Sequence, residues 1–454
     1  LDRNSGGISH LKWIIAILIF SLLVLIHEFG HFLVAKLCGV DVEEFSLGFG
    51  PRLLSTVKGG TRYSLKILMF GGSCRMKSTW DDVEDEEDWD KPRQPEEGSF
   101  ESVSVGKRIA ILFAGPFFNF LLAFVGSVII VSVLGYYSPV VTGVTKDSNA
   151  AEAGLEDGDV ITSYQGSAVV IGDDISTWEV LHGAYTADST ITMKVVRDGK
   201  TLTFSFHPDT VVRYMLGITY SNTSSSCEIT AVSDGSPMKE AGVTAGDTIT
   251  AIDGTAIKSG SELYNYFQEN PMDGSEVSVS VTHSDGTSDI YQITPVENDS
   301  ISTGFSYGKY QKANALDVLK YGSYEVIYWI KTTVKSVAGL FTGRFSVNDL
   351  SGPVGVVDAV SSTYEESKSY GTLITWMSMI NLIILLSANL GVMNLLPIPA
   401  LDGGRILFLL IEAVRGKPVS KKTETAVESV TAMLLLALMV YVMYHDIVTF
   451  NKRF

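Results

Sequence analysis

Residues 11–37, LKWIIAILIFSLLVLIHEFGHFLVAKL, form one long apolar run with a cluster of three ionisable side chains in its second half: His27, Glu28 and His31. At 1.5 Å rise per residue the run is long enough to cross a bilayer as a single helix. Ionisable groups inside such a helix carry a heavy desolvation cost, so they mark a site that uses them. His27 and His31 stand four apart and share a helix face, where both imidazoles can reach one metal ion. Glu28, beside them, is placed to take a proton from a water on that metal. The bland alternative is a buried polar contact between spans, which offers nothing to offset the desolvation of three such groups.

Composition sets the frame for this helix. The chain has 454 residues, 46% of them hydrophobic, and a mean hydropathy of +0.22. That lies between a soluble protein and a pure bundle of spans, so membrane segments with soluble domains are expected. A net charge of −17 argues against nucleic acid as a partner. Cys38, Cys74 and Cys227 are far apart and form neither a zinc-ribbon spacing nor a disulfide framework; they read as small buried or unreactive thiols. Residues 1–10 are set aside as a tail, and the apolar run after them reads as a retained span, too long for a signal-peptide core.

Residues 38–108 follow the first span. Partial alternation over 42–49 and the strand-like Tyr63–Met69 predict a membrane-associated β-hairpin or sheet, with Gly48, Gly50, Gly59, Gly60, Gly71 and Gly72 as turns. Such a sheet either offers an edge to an extended peptide or is an ordinary membrane-proximal hairpin. The dense acidic run Asp81–Asp90 reads as a solvated loop. The segment carries ten Lys and Arg, and acids count little in the positive-inside rule, so it is placed in the cytoplasm with the N-terminus outside. A second span is expected over 109–135. Gly115, Pro116 and Asn119 interrupt its first half, and Asn119 either braces a site residue or makes a simple interhelical hydrogen bond.

Beyond it the chain repeats itself. VVTGVTKDSNAAEAGLEDGDVITSYQG from Val140 and CEITAVSDGSPMKEAGVTAGDTITAIDG from Cys227 share the frame A-G-[LV]-x-x-G-D-x-I, about 90 residues apart. Each copy ends in alternating strands joined at Asp198-Gly199 or Asp285-Gly286. The pattern resembles PDZ domains, giving two PDZ-like α+β domains at 138–212 and 213–306. These either bind chain ends or extended peptides by strand addition or act as spacers that limit access. His182, His207 and His283 are expected at the surface.

Residues 313–345 read as an interfacial amphipathic helix with Tyr328 and Trp329 at headgroup level, too polar to span. Residues 346–370 read as a membrane-surface linker with a tight turn at Leu350–Gly355. A third span, 371–404, carries Asn381, Asn389 and Asn394 and breaks at Pro397-Ile398-Pro399-Ala400-Leu401-Asp402-Gly403-Gly404. The prolines stop the helix and the glycines release the backbone. A broken span with an acid in it is tolerated where it lines a site. A catalytic zinc takes three protein ligands and keeps one position open, and His27, His31 and Asp402 supply those three. The basic residues of 405–424 hold this end in the cytoplasm, on the side of the first motif. A fourth span, 425–448, closes the chain, and His445-Asp446 reads as an interfacial pair rather than a ligand pair.

Taken together, these motifs resemble the site-2 protease family of intramembrane zinc metalloproteases, bacterial RseP type. The resemblance rests on His27-Glu28-Phe29-Gly30-His31, Phe45–Pro51, Gly71-Gly72, Gly115-Pro116 with Asn119, the paired repeats, Leu350–Gly355, Asn394–Gly404 and His445-Asp446-Ile447, in the expected order. It implies one zinc ion per chain held by His27, His31 and Asp402, with Glu28 as general base. It implies Asn394, Phe45, Ser46, Leu47, Gly48, Phe49, Gly50, Pro397 and Pro399 as substrate-handling elements, and a PDZ pair that screens substrates by size. The expected architecture is a multi-span α-helical membrane protein of about four transmembrane helices, with a membrane-associated β-sheet and two extracytoplasmic PDZ-like domains. It would sit in the bacterial inner or plasma membrane, its zinc site toward the cytoplasm. Its substrates would be single-pass proteins of the anti-sigma-factor type, already trimmed outside, and signal-peptide remnants. The chain departs from the family at Gly72-Ser73-Cys74-Arg75-Met76 and in the acidity of Thr79–Glu97. A non-proteolytic membrane scaffold built on the PDZ-like pair is the alternative; a zinc transporter would need a file of ligands that the sequence lacks.

Overall fold

A computed structural model describes residues 5–80, 94–221, 226–368 and 370–452. The acidic run at 81–90 lies outside the described residues. The chain divides into two compact units, Leu1–Tyr137 with Tyr310–Phe454, and Ser138–Lys309. Among the described residues, four helical stretches are long and apolar enough to cross a membrane: Ile14–Cys38, Val105–Leu134, Thr372–Leu395 and Lys421–Val448.

The first unit opens with α1 (Ser5–Cys38), which takes in part of the stretch set aside as a tail. β1 (Val42–Lys58) and β2 (Thr61–Met76) then form an antiparallel hairpin whose strands both double back. Leu54–Val57 pairs with Arg62–Leu65; Glu44–Leu47 lies along that same segment, its partners ascending with it; and Glu44–Leu47 pairs on its other side with Gly72–Arg75. The sheet therefore reads across as 72–75, 44–47, 62–65, 54–57. The reversals fall at Gly48, Gly50 and Gly71, all at positive φ, whereas Gly72 already lies in the ladder opposite Leu47. α2 (Val105–Leu134) follows, with Pro116 inside it.

The second unit carries both repeats. The first comprises β3 (Tyr136–Val144), α3 (Asn149–Glu152), β4 (Val160–Tyr164), β5 (Ser167–Ala168), α4 (Asp173–His182), β6 (Ile191–Arg197), β7 (Lys200–Phe206) and β8 (Asp209–Met215). The second comprises β9 (Ile218–Tyr220), β10 (Ile229–Val232), α5 (Pro237–Glu240), β11 (Thr248–Ile252), β12 (Thr255–Ala256), α6 (Gly260–Glu269), β13 (Val277–Thr282) and β14 (Ser288–Ile293). Each repeat has its own apolar core, one around Ile161, Ile191 and Val195, the other around Ile249, Val279 and Val281. The last two strands return to the first repeat. β15 (Val296–Ser302) pairs with β8, and β16 (Phe305–Gln311) joins β3, placing Phe305 in the first core. The second repeat is thus inserted within the first, a nesting that a linear boundary at residue 306 does not capture.

Each repeat buries one carboxylate at the same place in its frame. Asp159 meets the Arg197 guanidinium at 2.7 Å, and Asp247 meets His283 Nδ1 at 2.9 Å. His283 is therefore not a bare surface residue; its Nε2 also lies 2.9 Å from the Tyr291 hydroxyl and 3.4 Å from Asp289. Burial alone would raise both aspartates, but the hydrogen bonds and charge around each outweigh it and hold them below the ordinary carboxylate value. The hydrogen bond His283 donates to Asp247, with the charges of Asp247, Asp289 and Asp285, raises His283.

This difference between the repeats makes a pH prediction. A lowered Asp247 contributes stability above the unfolded carboxylate value of about 4, lost as pH falls through its folded value. A raised His283 contributes stability fully present below about 6.5 and lost as pH rises through its folded value. The first repeat, paired through an arginine, keeps its bond at alkaline pH. Hydrogen exchange on the full chain, corrected for intrinsic rates, is expected to show the second repeat losing protection between pH 6 and pH 9 while the first does not. His283→Arg should remove the difference.

The chain re-enters the first unit through α7 (Ala315–Phe341), α8 (Pro353–Lys368), α9 (Thr372–Leu395), α10 (Asp402–Arg415) and α11 (Lys421–Lys452). α7 is not among the candidate spans. Its Tyr328 is buried, and its Trp329 packs with Val326 into a cluster with Ala123, Ile384 and Ala388, so Trp329 faces neighbouring helices rather than headgroups. Thr333 on the same face donates to Asn389. The expected linker at 346–370 contains a helix, because Val357, Val360 and Tyr364 recur at helical spacing and pack on Ala16, Ile19 and Leu23 of α1. Asp446 of α11 accepts the N–H groups of Gly352 and Gly355 at 3.0 and 2.9 Å, closing the start of α8. All three cysteines are free, and burial pushes the Cys227 thiol up to about 11.

Candidate active site

The site forms where α1, α2 and the start of α10 meet. α1 and α2 approach closely because Gly30 and Gly115 face the crossing. A Cβ on Gly30 would lie 2.4 Å from Ala114 O, and one on Gly115 would lie 2.3 Å from His31 Nε2 and 2.8 Å from His27 Cε1. The backbone of α2 therefore sits directly against both imidazoles. His31 Nδ1 donates to Ile111 O at 2.8 Å, which leaves the Nε2 lone pair free. His27 Nδ1 lies 3.1 Å from the Asn119 side-chain amide, and Ser387 of α9 donates to Asn119 O at 2.8 Å.

Asp402 arrives from the far end of the sequence through the break after α9. Ala400 has φ +79°, in the left-handed region that an alanine adopts at a cost of about 1–2 kcal/mol. Gly403 and Gly404 pass within 2.3 Å, measured from an added Cβ, of the Leu395, Leu396 and Ile398 carbonyl oxygens. No larger residue fits this re-entry. Arg108 of α2 clamps α10 through Glu412 at 2.6 and 3.1 Å, a half-buried bidentate pair.

The outcome is a compact donor set. Asp402 Oδ2 lies 3.2 Å from His27 Nε2 and 3.4 Å from His31 Nε2, and the two nitrogens are 3.2 Å apart. Among the described residues this is the group of His, Cys, Asp and Glu side chains close enough to hold a metal, with ligand atoms within 4.8 Å. Two imidazole nitrogens and a carboxylate oxygen suit zinc with a coordination position left over. Asp402 Oδ2 is buried without a hydrogen-bond partner, the condition that a bound cation relieves.

The remaining expected residues divide. Asn394 joins the cluster, its Nδ2 3.5 Å from His27 Nε2. Glu28 is half-buried and faces the sheet; a Cβ on Gly72 would lie 3.3 Å from its Cγ. Phe45 packs on Phe32 with tilted rings 5.2 Å between centroids, Ser46 is buried with its hydroxyl 2.9 Å from that of Ser73, and Leu47 pairs with Gly72 and Leu65. Gly48 marks the reversal, and Phe49 and Gly50 are exposed. Because Phe45–Leu47 has strand partners on both sides, the outer segment beside Glu28 is Gly72–Arg75, not the expected Phe45–Pro51. Pro397 and Pro399 lie in the break between α9 and α10. Sequence reasoning missed the Ile111 carbonyl, which no side chain announces, and the Arg108–Glu412 clamp, whose partners lie 304 positions apart.

Residues 15–438 match the model of peptidase family M50. The chain is 30% identical over 467 residues to the regulator of sigma-E protease RseP of Salmonella typhimurium, covering 96% of this chain and 98% of that protein. It is 29% identical to the regulator of sigma-W protease RasP of Bacillus subtilis, and 28% identical to the zinc metalloprotease RasP of Bacillus licheniformis. Each of these two alignments covers 95% of this chain and 97% of the relative.

Proposed function

This chain belongs to peptidase family M50, and from that premise we propose that it hydrolyses a peptide bond within or next to the membrane-spanning segment of single-pass membrane proteins. It is a membrane zinc metalloprotease. The observation that carries the finer reading is the convergence of His27 Nε2, His31 Nε2 and an unpartnered Asp402 Oδ2 on one point, with Glu28 alongside. His27, His31 and Asp402 hold the zinc, one per chain. Bound there, zinc supplies Lewis-acid polarisation of the scissile carbonyl and a water acidified to a pKa of about 7. Glu28 takes the proton of the attacking water and returns it to the departing amide nitrogen. Peptide C–N cleavage then yields one carboxylate and one amine, with water as the only co-reactant.

A helical substrate hides its carbonyls in its own hydrogen bonds, so it must unwind before Glu28 can act. The Gly72–Arg75 segment lies beside Glu28 and is positioned to take an extended chain by strand addition. Asn394 is close enough to the cluster to bind that chain from the other side. Pro397 and Pro399 keep the break open, and Phe45–Gly50 supports the sheet. The relatives' names as regulators of sigma-E and sigma-W support anti-sigma-factor-type substrates for this chain, with signal-peptide remnants as a second class. The inserted repeats act as a PDZ-like pair outside the cytoplasm, filtering substrates by size or binding their ends. The multi-pass chain sits in the bacterial inner membrane with the zinc site toward the cytoplasm.

The test uses the full chain in detergent, a single-pass substrate stripped of its outer domain, and a chelator. Cleavage that the chelator stops and added zinc restores is the expected result. A zinc-loaded chain that leaves a broad panel of such substrates intact would favour the scaffold alternative.

A further inference from the structure

We propose that Asn119 is the positioning residue for His27: its side-chain oxygen accepts the hydrogen bond of the imidazole Nδ1–H and so presents the Nε2 lone pair to the metal. The inference rests on the reading of His27, His31 and Asp402 as ligands. Two histidines that both ligate through Nε2 must both carry their proton on Nδ1, and each such proton needs a buried acceptor. His31 has one in Ile111 O. For His27 the polar partner that the structure gives Nδ1 is the Asn119 amide, at 3.1 Å.

The orientation of that amide decides the tautomer. With Nδ2 toward His27, Nδ1 must accept, its proton moves to Nε2, and an N–H points into the donor cluster. The same orientation leaves Asn119 Oδ1 buried without a partner, in a residue with no solvent exposure. The first cost vanishes when the amide turns over, exchanging two atoms of nearly equal size. Oδ1 then accepts Nδ1–H, and Nε2 faces Asp402 and His31 with a lone pair.

The fold explains why the acceptor is a side chain here and a main-chain carbonyl at His31. Ile111, Gly115 and Asn119 fall on one face of α2, against His31 and His27. Helical side chains lean toward the N-terminus, so Asn119 reaches back over the gap that Gly115 leaves open. Ser387 holds the Asn119 carbonyl from α9, so three helices set the amide's position.

The experiment measures zinc affinity of the full chain in detergent by competition with a chromogenic chelator, together with the visible absorption of the Co2+-loaded chain. Asn119→Leu keeps volume but removes the acceptor and is expected to lower zinc affinity by about 10–100-fold, with a changed Co2+ spectrum. Asn119→Asp keeps an acceptor at the same reach and is expected to hold wild-type affinity or exceed it. Wild-type affinity in Asn119→Leu, or an equal loss in Asn119→Asp, overturns the proposal. If the leucine variant does not fold, Asn119→Ala against Asn119→Asp decides the same contrast. His27→Ala and Asp402→Ala separate the two readings: zinc retained in both sinks the ligand assignment, whereas zinc lost there but kept in Asn119→Leu sinks only this proposal.

Discussion

Glu28→Gln is expected to bind zinc as the wild type does and to lose cleavage by about 10²–10⁴-fold, the range that general acid–base groups contribute. The substitution keeps the shape of the side chain and removes only its ability to take a proton. Glu28 is no member of the donor set, whose three ligand atoms come from His27, His31 and Asp402, so metal content should not move. Its side chain lies beside Gly72, where an added Cβ would be 3.3 Å from Glu28 Cγ, at the edge where an extended substrate would lie. Zinc content by metal analysis and single-turnover cleavage on the same preparation check both halves. Cleavage at the native rate would remove Glu28 as the base; loss of zinc would make it a ligand.

Gly115→Ala is expected to abolish activity although local propensity favours it. Within a helix, alanine is preferred to glycine by about 1 kcal/mol. At position 115 the added methyl would lie 2.3 Å from His31 Nε2 and 2.7 Å from His31 Cε1, so the imidazoles or the helix must yield. A displacement on the order of 1 Å costs about 10²-fold in a positioned site, and the ligand geometry suffers with it. Zinc affinity should fall by about that factor while the protein still folds and stays monodisperse. Gly106→Ala is the control: it lies in the same helix with nothing within 4 Å of the added atom, and it should leave zinc affinity and cleavage unchanged. Equal zinc affinity in both variants would place α2 farther from the histidines than described.

Several features were legible in the chain itself because they are local. An apolar run of span length and an i, i+4 histidine pair need only the geometry of one helix, so α1 and its histidine stripe followed from counting residues. The Pro-Ile-Pro-Ala-Leu-Asp-Gly-Gly break announced itself by residues that cannot continue a helix, and the third expected ligand, Asp402, stands there. The repeats were visible as self-similarity, since each copy must encode the same turns.

Other features depend on which segments meet, and no local pattern encodes that. The hairpin's strands alternate in the expected way, yet the choice of Gly72–Arg75 over Phe45–Pro51 as the outer segment comes from register. The insertion of the second repeat is a matter of strand pairing between residues that sequence keeps far apart. The linker expected at 346–370 became a helix because α1 and α9 cover its apolar face. Trp329 turned inward because α2 and α9 offered it a cluster to join.

The sequence by itself determined the chemistry: two imidazoles, two carboxylates and an apolar setting in which such groups persist only if used. Tertiary structure decided the pre-organisation. The helix crossing at Gly30 and Gly115 brings a main-chain carbonyl to one histidine and the Asn119 amide to the other, and the Arg108–Glu412 pair anchors the helix that begins with Asp402. Residue types set what a site can do, because acidity and ligand character are properties of the groups. Distances set whether it does so, because they depend on packing between helices that the sequence encodes only jointly.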